Sequence, residues 1–198
     1  MNRVFTIGAS TMPIERLLEL LRDHAVTAVA DVRSTPGSRF TSQFNKKPLR
    51  DSLRTSGVRY VFLGDELGAR SSREECYVDD VVQYERLAQT PEFKAGIERV
   101  LDGASRERIA LLCTEHDPLD CHRAILVSRV LAERDAEIYH IHTNGQLESH
   151  PEAMLRLRRK FHLDQPSLLD DEDDQLSEAL RRQEQQIAYV RSDVVTVS

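Results

Sequence analysis

Residues 111–123 read LLCTEHDPLDCHR, and this stretch decides the fold. An apolar run, Ile109 to Leu112, ends in Cys113, Glu115 and His116. A short loop containing Pro118 follows, then Cys121, His122 and Arg123, then a second apolar pattern. A buried strand that ends in polar residues and turns into a helix is one unit of an open α/β sheet. Such sheets hold their ligands at the carboxyl ends of the strands.

Outward from that unit the same alternation recurs. Arg3–Ile7 reads as a short buried strand, followed by a turn with Gly8, Ser10, Thr11 and Pro13. Ile14, Leu17, Leu18 and Leu21 at helical spacing predict a helix over Ile14–His24. Val26–Val32 and Val58–Leu63 read as strands, with Arg33–Ser56 a long polar segment between them and Leu63–Tyr77 irregular. Helices are predicted over Val78–Ala88 and Pro91–Leu101, then a strand over Arg108–Cys113, a helix over Cys121–Arg134 and a last short strand, Glu137–Ile141. Met154–Leu163 is a basic helical stretch.

Strands alternating with helices predict one Rossmann-like, three-layer α/β domain over residues 1–163, with a mostly parallel sheet. The ends of the first, second and Ile109–Cys113 strands then share one edge, and three polar clusters meet in one cleft. Residues 164–198 read as an acidic linker and partly helical tail. Asp170–Asp174 is a run of five acids and Gln175–Ala188 is helix-permissive. The tail is expected to be solvated, to mask Arg156–Lys160, or to contact a protein partner.

Bulk properties exclude some classes. A chain of 198 residues holds one domain with a sizeable core. A net charge of −6 leaves no global basic footprint, so nucleic acid would need a local basic site. No run approaches the roughly 20 apolar residues of a membrane span. The start, MNRVFTIGAS, lacks a secretory leader's apolar stretch, and three cysteines make no disulfide framework. A cytoplasmic protein without a membrane partner is expected.

The chemistry lies in three clusters. In the first, Asp120 is predicted to cap a helix, placing Cys121, His122 and Arg123 in its first turn. Free amides and the helix dipole there favour an anion, and Arg123 would add a bidentate donor. The same place lowers a cysteine pKa, making Cys121 a candidate nucleophile; the plainer reading is a core cysteine and a structural ion pair. Cys113 reads as a buried small hydrophobe. Glu115 reads as a general acid–base or nucleophilic group, or as a structural partner for Arg33, Arg39 or Arg123.

In the second cluster Asp31, Arg33, Ser38 and Arg39 suit a phosphate-bearing ligand, unless Asp31 and an arginine merely fix the loop. Phe40, Phe44 and Tyr60 read as core or loop anchors. In the third, Gly8 and Ser10 form a strand–glycine–serine turn that can cradle phosphate, without the GxGxxG fingerprint or a P-loop lysine. No arginine follows Cys113 or Cys121 at the thiol-phosphatase spacing, and no GxSxG elbow is present. Cys113, Glu115, His116, Cys121 and His122 are potential metal ligands, and His140 and His142 alternate towards the same mouth. The cysteine spacing is not CxxC and no second pair completes a zinc ribbon. No cofactor is therefore expected, and a divalent metal is the weaker reading.

TIGxS at residues 6–10, DVRSxPxSR with Phe44-Asn45-Lys46 after it, LGDELG at Leu63–Gly68 and CTExxPxxCHR together resemble the bacterial and archaeal family called domain of unknown function 488. The resemblance covers roughly residues 3–150. It implies that Ser10, Asp31, Arg33, Ser38, Arg39, Glu115, Cys121, His122 and Arg123 belong to the family pattern, and it implies no settled activity. Many relatives carry histidine where this chain has Ala9. The tail after about Leu163 lies outside the resemblance.

The reading that follows is a hydrolase or transferase acting on a phosphate-bearing, nucleotide-like or nucleic-acid-derived substrate. Glu115, His122, Asp31 and Cys121 are its candidate catalytic residues. Gly8, Ser10, Arg33, Ser38, Arg39 and Arg123 would bind the substrate. Against it stand a non-catalytic nucleotide- or anion-binding regulatory module and, more weakly, a thiol or metal site at Cys113, Cys121 and His122.

Overall fold

The computed structural model describes residues 2–165 and 171–191. Asp170 of the acidic run and residues 192–198 of the tail lie outside them. The chain runs β1 (Arg3–Gly8), α1 (Ile14–Asp23), β2 (Ala28–Asp31), α2 (Lys46–Thr55), β3 (Arg59–Phe62) and α3 (Gly64–Leu67). Next come β4 (Tyr77–Val78), β5 (Val81–Val82), α4 (Tyr84–Gln89), α5 (Pro91–Ala104) and β6 (Ile109–Cys113). A π-helical turn, Arg123–Ser128, leads into α6 (Arg129–Ala132). Then follow β7 (Glu137–Ile141), β8 (Leu147–Ser149), α7 (His150–Lys160) and α8 (Glu172–Ile187).

The main sheet has the order β3-β2-β6-β1-β7-β8. All its pairings are parallel except that of β8, which returns antiparallel on β7. This is the Rossmann-like α/β domain that the alternation implied, and β3 takes the edge. Period-two alternation sends successive side chains to opposite faces. Phe5, Ile7, Ala110 and Leu112 pack with α1 and α2. Val4, Ile109, Leu111 and Cys113 face the other layer, with Phe93, Ile97 and Val100 of α5 and Ala179 of α8. Among the described residues no helix is long and apolar enough to cross a membrane.

Three elements differ from expectation. The segment 33–56 contains α2, whose Leu49 and Leu53 are buried at i,i+4 spacing under an otherwise charged surface. The helix predicted from Val78 begins only at Tyr84, because β4 and β5 form a hairpin first. Its two turn residues, Asp79 and Asp80, take φ of 48° and 62°, the paired left-handed geometry of a tight hairpin. Glu137–Ile141 is not the last strand, since β8 follows across a turn at Gly145.

The segment set apart as a tail packs on the domain. Ala179 and Gln183 of α8 are fully buried, and Gln183 Nε2 donates to Leu119 O at 2.9 Å. Glu184 accepts from the Tyr84 amide at 2.6 Å. At its acidic start, Arg158 donates to Glu172 at 3.3 Å, so one acid does cover part of the basic helix α7. Beyond α8, Val190 bridges to Val81 and Tyr189 O accepts from Val82 N.

Away from this edge, His140 and His150 share a hydrogen bond of 3.2 Å in the core, and His140 Nδ1 lies 2.8 Å from Thr6 Oγ1. Burial lowers His150 from 6.5 to about 4. The unfolded chain therefore takes up a proton that the folded chain refuses between those values, so stability falls as pH drops through that window. His150 alone accounts for about 3 kcal/mol of the loss. Burial lowers His140 in the same direction, so denaturant titrations from pH 7 to pH 4 should show this fall and His150→Gln should reduce its slope without abolishing it; an unchanged pH slope in the variant would contradict the assignment.

Candidate functional site

The three polar clusters do meet at the carboxyl edge of the sheet. β6 lies between β1 and β2, so their exits are neighbours. Backbone bonds continue past the strand ends, with Ala9 N to Cys113 O at 2.8 Å, Ser10 N to Thr114 O at 2.6 Å and Val32 N to Leu112 O at 3.1 Å. This closeness demands glycine at position 8, where a Cβ would lie 1.9 Å from Glu115 O. Gly68 does the same on the far wall, where a Cβ would meet Ser34 Oγ at 2.4 Å.

The edge holds a cleft of about 200 Å³. Cys113, Cys121, His122 and Glu115 line it together with Arg33, Ser34, Thr35, Arg70, Tyr84 and Tyr189. Cys113 ends β6 and is buried, as is Cys121. Cys121 has extended backbone, and its carbonyl accepts from Ala124 N and Ile125 N. It is therefore the cap of the following helix, one residue later than the expected Asp120. Its sulfur accepts from Arg123 N at 3.5 Å, so the helix start already has a sulfur of its own where an external anion was expected. The helix opens as a wide π turn, and Ser128 Oγ donates to Arg123 O at 2.7 Å.

His122 is locked between strands. Its Nε2 lies 3.1 Å from Val32 O, and its Nδ1 lies 3.8 Å from both Cys113 Sγ and Cys121 Sγ. Cys113 Sγ donates to Glu115 Oε2 at 3.3 Å. Burial opposes ionisation of Cys121, but the Cys113 hydrogen bond and the Arg123 and His122 charges outweigh it and hold this thiol well below its usual range. Cys113 moves the opposite way, raised by the same hydrogen bond and by burial. Burial lowers His122, yet the adjoining Cys121 sulfur brings it out above its ordinary value. Burial and Cys121 raise the Glu115 carboxyl. The surroundings thus favour charge on Cys121 and His122 and disfavour it on Cys113 and Glu115. Sγ of both cysteines and a nitrogen of His122 all lie within 4.8 Å of one another, close enough to hold one metal ion.

The arginines are placed differently from the expected phosphate cradle. Arg123 is buried and does not face the cleft; it donates to Glu115 O at 2.6 Å and His116 O at 3.1 Å. Arg33 lines the cleft but is clamped by Asp31, with Nε to Oδ1 at 2.8 Å and Nη2 to Oδ2 at 2.6 Å. Asp31 is wholly buried, takes a further bond from Tyr60 at 2.8 Å and does not reach the cleft. Arg39 is exposed and outside it, and Ser38 holds a turn by accepting from Phe40 N and Thr41 N. Gly8 and Ser10 shape the edge without lining the cleft. Phe40 anchors nothing, being 97% exposed, whereas Phe44 is core. His140 and His142 point elsewhere, the latter to Glu148 at 2.9 Å.

Residues not anticipated from sequence complete the walls. Arg70 lies over the Tyr189 ring, 4.5 Å from its centroid, and its amide donates to Ser34 Oγ at 3.1 Å. Tyr84 is buried beneath. Tyr189 sits in the segment read as tail. Arg70 had a signal, since it follows the LGDELG glycines that bring α3 against Ser34.

The sequence profile of one family, described as Domain of unknown function DUF488, matches residues 13–130. The chain belongs to this family. Neither curated proteins nor solved structures provide a match to it.

Arg123→Lys tests the loop-holding role. Lysine keeps the charge but cannot fork to two carbonyls. Loss of a charged hydrogen bond to one of these part-buried carbonyls should cost about 1.5–3 kcal/mol in denaturant unfolding. A variant as stable as the parent would show that the loop does not depend on the fork.

Proposed function

We propose that this member of the family is an enzyme, a hydrolase or transferase whose small phosphate-bearing substrate enters the cleft with Glu115 as its proton-transferring group. The observation that carries this is the position of Glu115. Two carboxylates line the cleft among the described residues, Glu115 and Asp120, and Glu115 is the one bonded to the buried Cys113–Cys121–His122 floor, at 3.3 Å from Cys113 Sγ. Open α/β sheets place reacting groups at this edge, and a carboxyl within reach of substrate is a natural general acid or base.

Size narrows the substrate. Sites for drug-sized ligands span about 300–1,000 Å³, and this cleft has about 200 Å³. It suits a sugar phosphate or the phosphate-bearing end of a nucleotide-like molecule. Arg33, Arg70, Ser34 and Thr35 offer the donors for that group. Arg33 brings little net charge, because Asp31 balances it, so Arg70 is the phosphate's main cation. Asp31 acts by orienting Arg33 rather than at the reacting atoms.

The test is a thermal-shift screen of sugar phosphates, nucleotides and simple anions, followed by turnover of whatever binds. Glu115→Gln should keep binding within about threefold and lower kcat by about 100-fold or more, the range of a lost general acid–base group. Arg70→Ala should weaken binding instead. If Glu115→Gln changes affinity alone and no ligand is turned over, the chain is a binding module and the enzyme reading falls.

A further inference from the structure

We infer that the floor of the cleft is a zinc site, with Cys113 Sγ, Cys121 Sγ and His122 Nδ1 as ligands and a fourth position open beside Glu115. This deepens the enzyme reading and rests on it only for the role of the fourth position.

Four observations point the same way. The first is spacing. Tetrahedral zinc, with Zn–S of about 2.3 Å and Zn–N of about 2.0–2.1 Å, requires S···N near 3.6 Å and S···S near 3.8 Å. Both sulfurs lie 3.8 Å from His122 Nδ1, and all three donor atoms are within 4.8 Å of one another. Movements of a few tenths of an ångström to about one ångström would close the site.

The second is orientation. His122 Nε2 is 3.1 Å from Val32 O, a bond it makes as donor because a carbonyl can only accept. With the proton on Nε2, the Nδ1 lone pair can face the sulfurs. A ligating histidine is commonly fixed in this way by a carbonyl behind it. The third is charge. Two thiolates cancel a dication, so the loaded buried cluster is neutral, and thiolate with imidazole selects zinc over magnesium or calcium. The fourth is access. All three ligands line the cleft with Glu115, so the site is open on the substrate side, as in catalytic rather than structural zinc centres.

The reaction then balances without a further reagent. Zinc-bound water loses a proton to the Glu115 carboxylate, and its oxygen forms the new bond to the substrate. The bond to the leaving group breaks with its electron pair, and Glu115 returns the proton to that group.

The experiment uses the full chain, freed of metal by a chelator under reducing conditions and titrated with Zn²⁺ and separately with Co²⁺. One metal ion per chain is expected. The cobalt form should show intense thiolate-to-metal charge-transfer absorption and the strong visible bands of a tetrahedral site. Cys113→Ser and Cys121→Ser should each weaken zinc binding by more than roughly 100-fold, beyond the effect of losing an outer partner. Cys76→Ser, at a buried cysteine outside the cleft, should leave it unchanged.

Failure of the fully reduced chain to bind metal overturns the inference. So does a cobalt adduct without thiolate charge transfer, or a native state in which Cys113 and Cys121 are joined as a disulfide. The cobalt spectrum is read on the parent chain, so the test survives a serine variant that does not fold. Metal binding is measured without substrate, which separates it from the enzyme reading. Zinc bound without turnover would sink that reading alone, and turnover dependent on Glu115 in a chain that binds no metal would sink the zinc site alone.

Discussion

The loop after β6 holds its shape because one buried guanidinium lies against it. Among the described residues Arg123 has no carboxylate partner; its Nη1 and Nη2 donate to the carbonyls of Glu115 and His116, and its buried Nε is left unpaired. A buried cation is costly unless its donors are paired. Here the pairing ties the helix start to the loop carbonyls eight and seven residues back. The loop cannot lift without stranding the charge, and Gly8 lets the neighbouring strand close in from the other side. That closure brings Cys113, Glu115 and Cys121 together, within reach of the bond that Cys113 Sγ makes to Glu115 Oε2.

Charge near the cleft follows from the same economy. Arg33 and Arg123 are both inside, and each is consumed by the protein, one by Asp31 and one by carbonyls. Their fields remain. The Arg123 charge is among the influences that lower the Cys121 thiol, while its donors do structural duty. A residue can thus shape reactivity through space and still never touch a ligand.

The order of strands and helices was legible because β1 and β6 are almost wholly buried and therefore almost wholly apolar. The convergence of three clusters followed from that order. What was hidden has physical causes. Helix α2 shows two buried leucines among Lys46, Lys47, Arg50, Asp51 and Arg54, too thin a stripe to stand out from a polar loop. Val78, Val81 and Val82 imitate a helix start, because left-handed backbone at Asp79 and Asp80 is rare outside glycine. Arg123 could be singled out from its neighbours, but its acceptors are main-chain carbonyls, which every residue carries and no side-chain pattern announces. Asp120 looked like the better cap by residue type, yet the chain is still turning there and Cys121 is the residue that is extended.

The cleft is built from two parts of different origin along the chain. Its floor comes from the end of β6 and the helix start that follows it, both held by the sheet. Part of its roof, Ile187 and Tyr189, comes from the end of α8 and just past it, more than fifty residues after the matched family region ends at 130. Floor and roof can therefore vary separately. A chain of the same fold could exchange its terminal helix and acquire a different substrate preference while leaving every reacting atom where it stands.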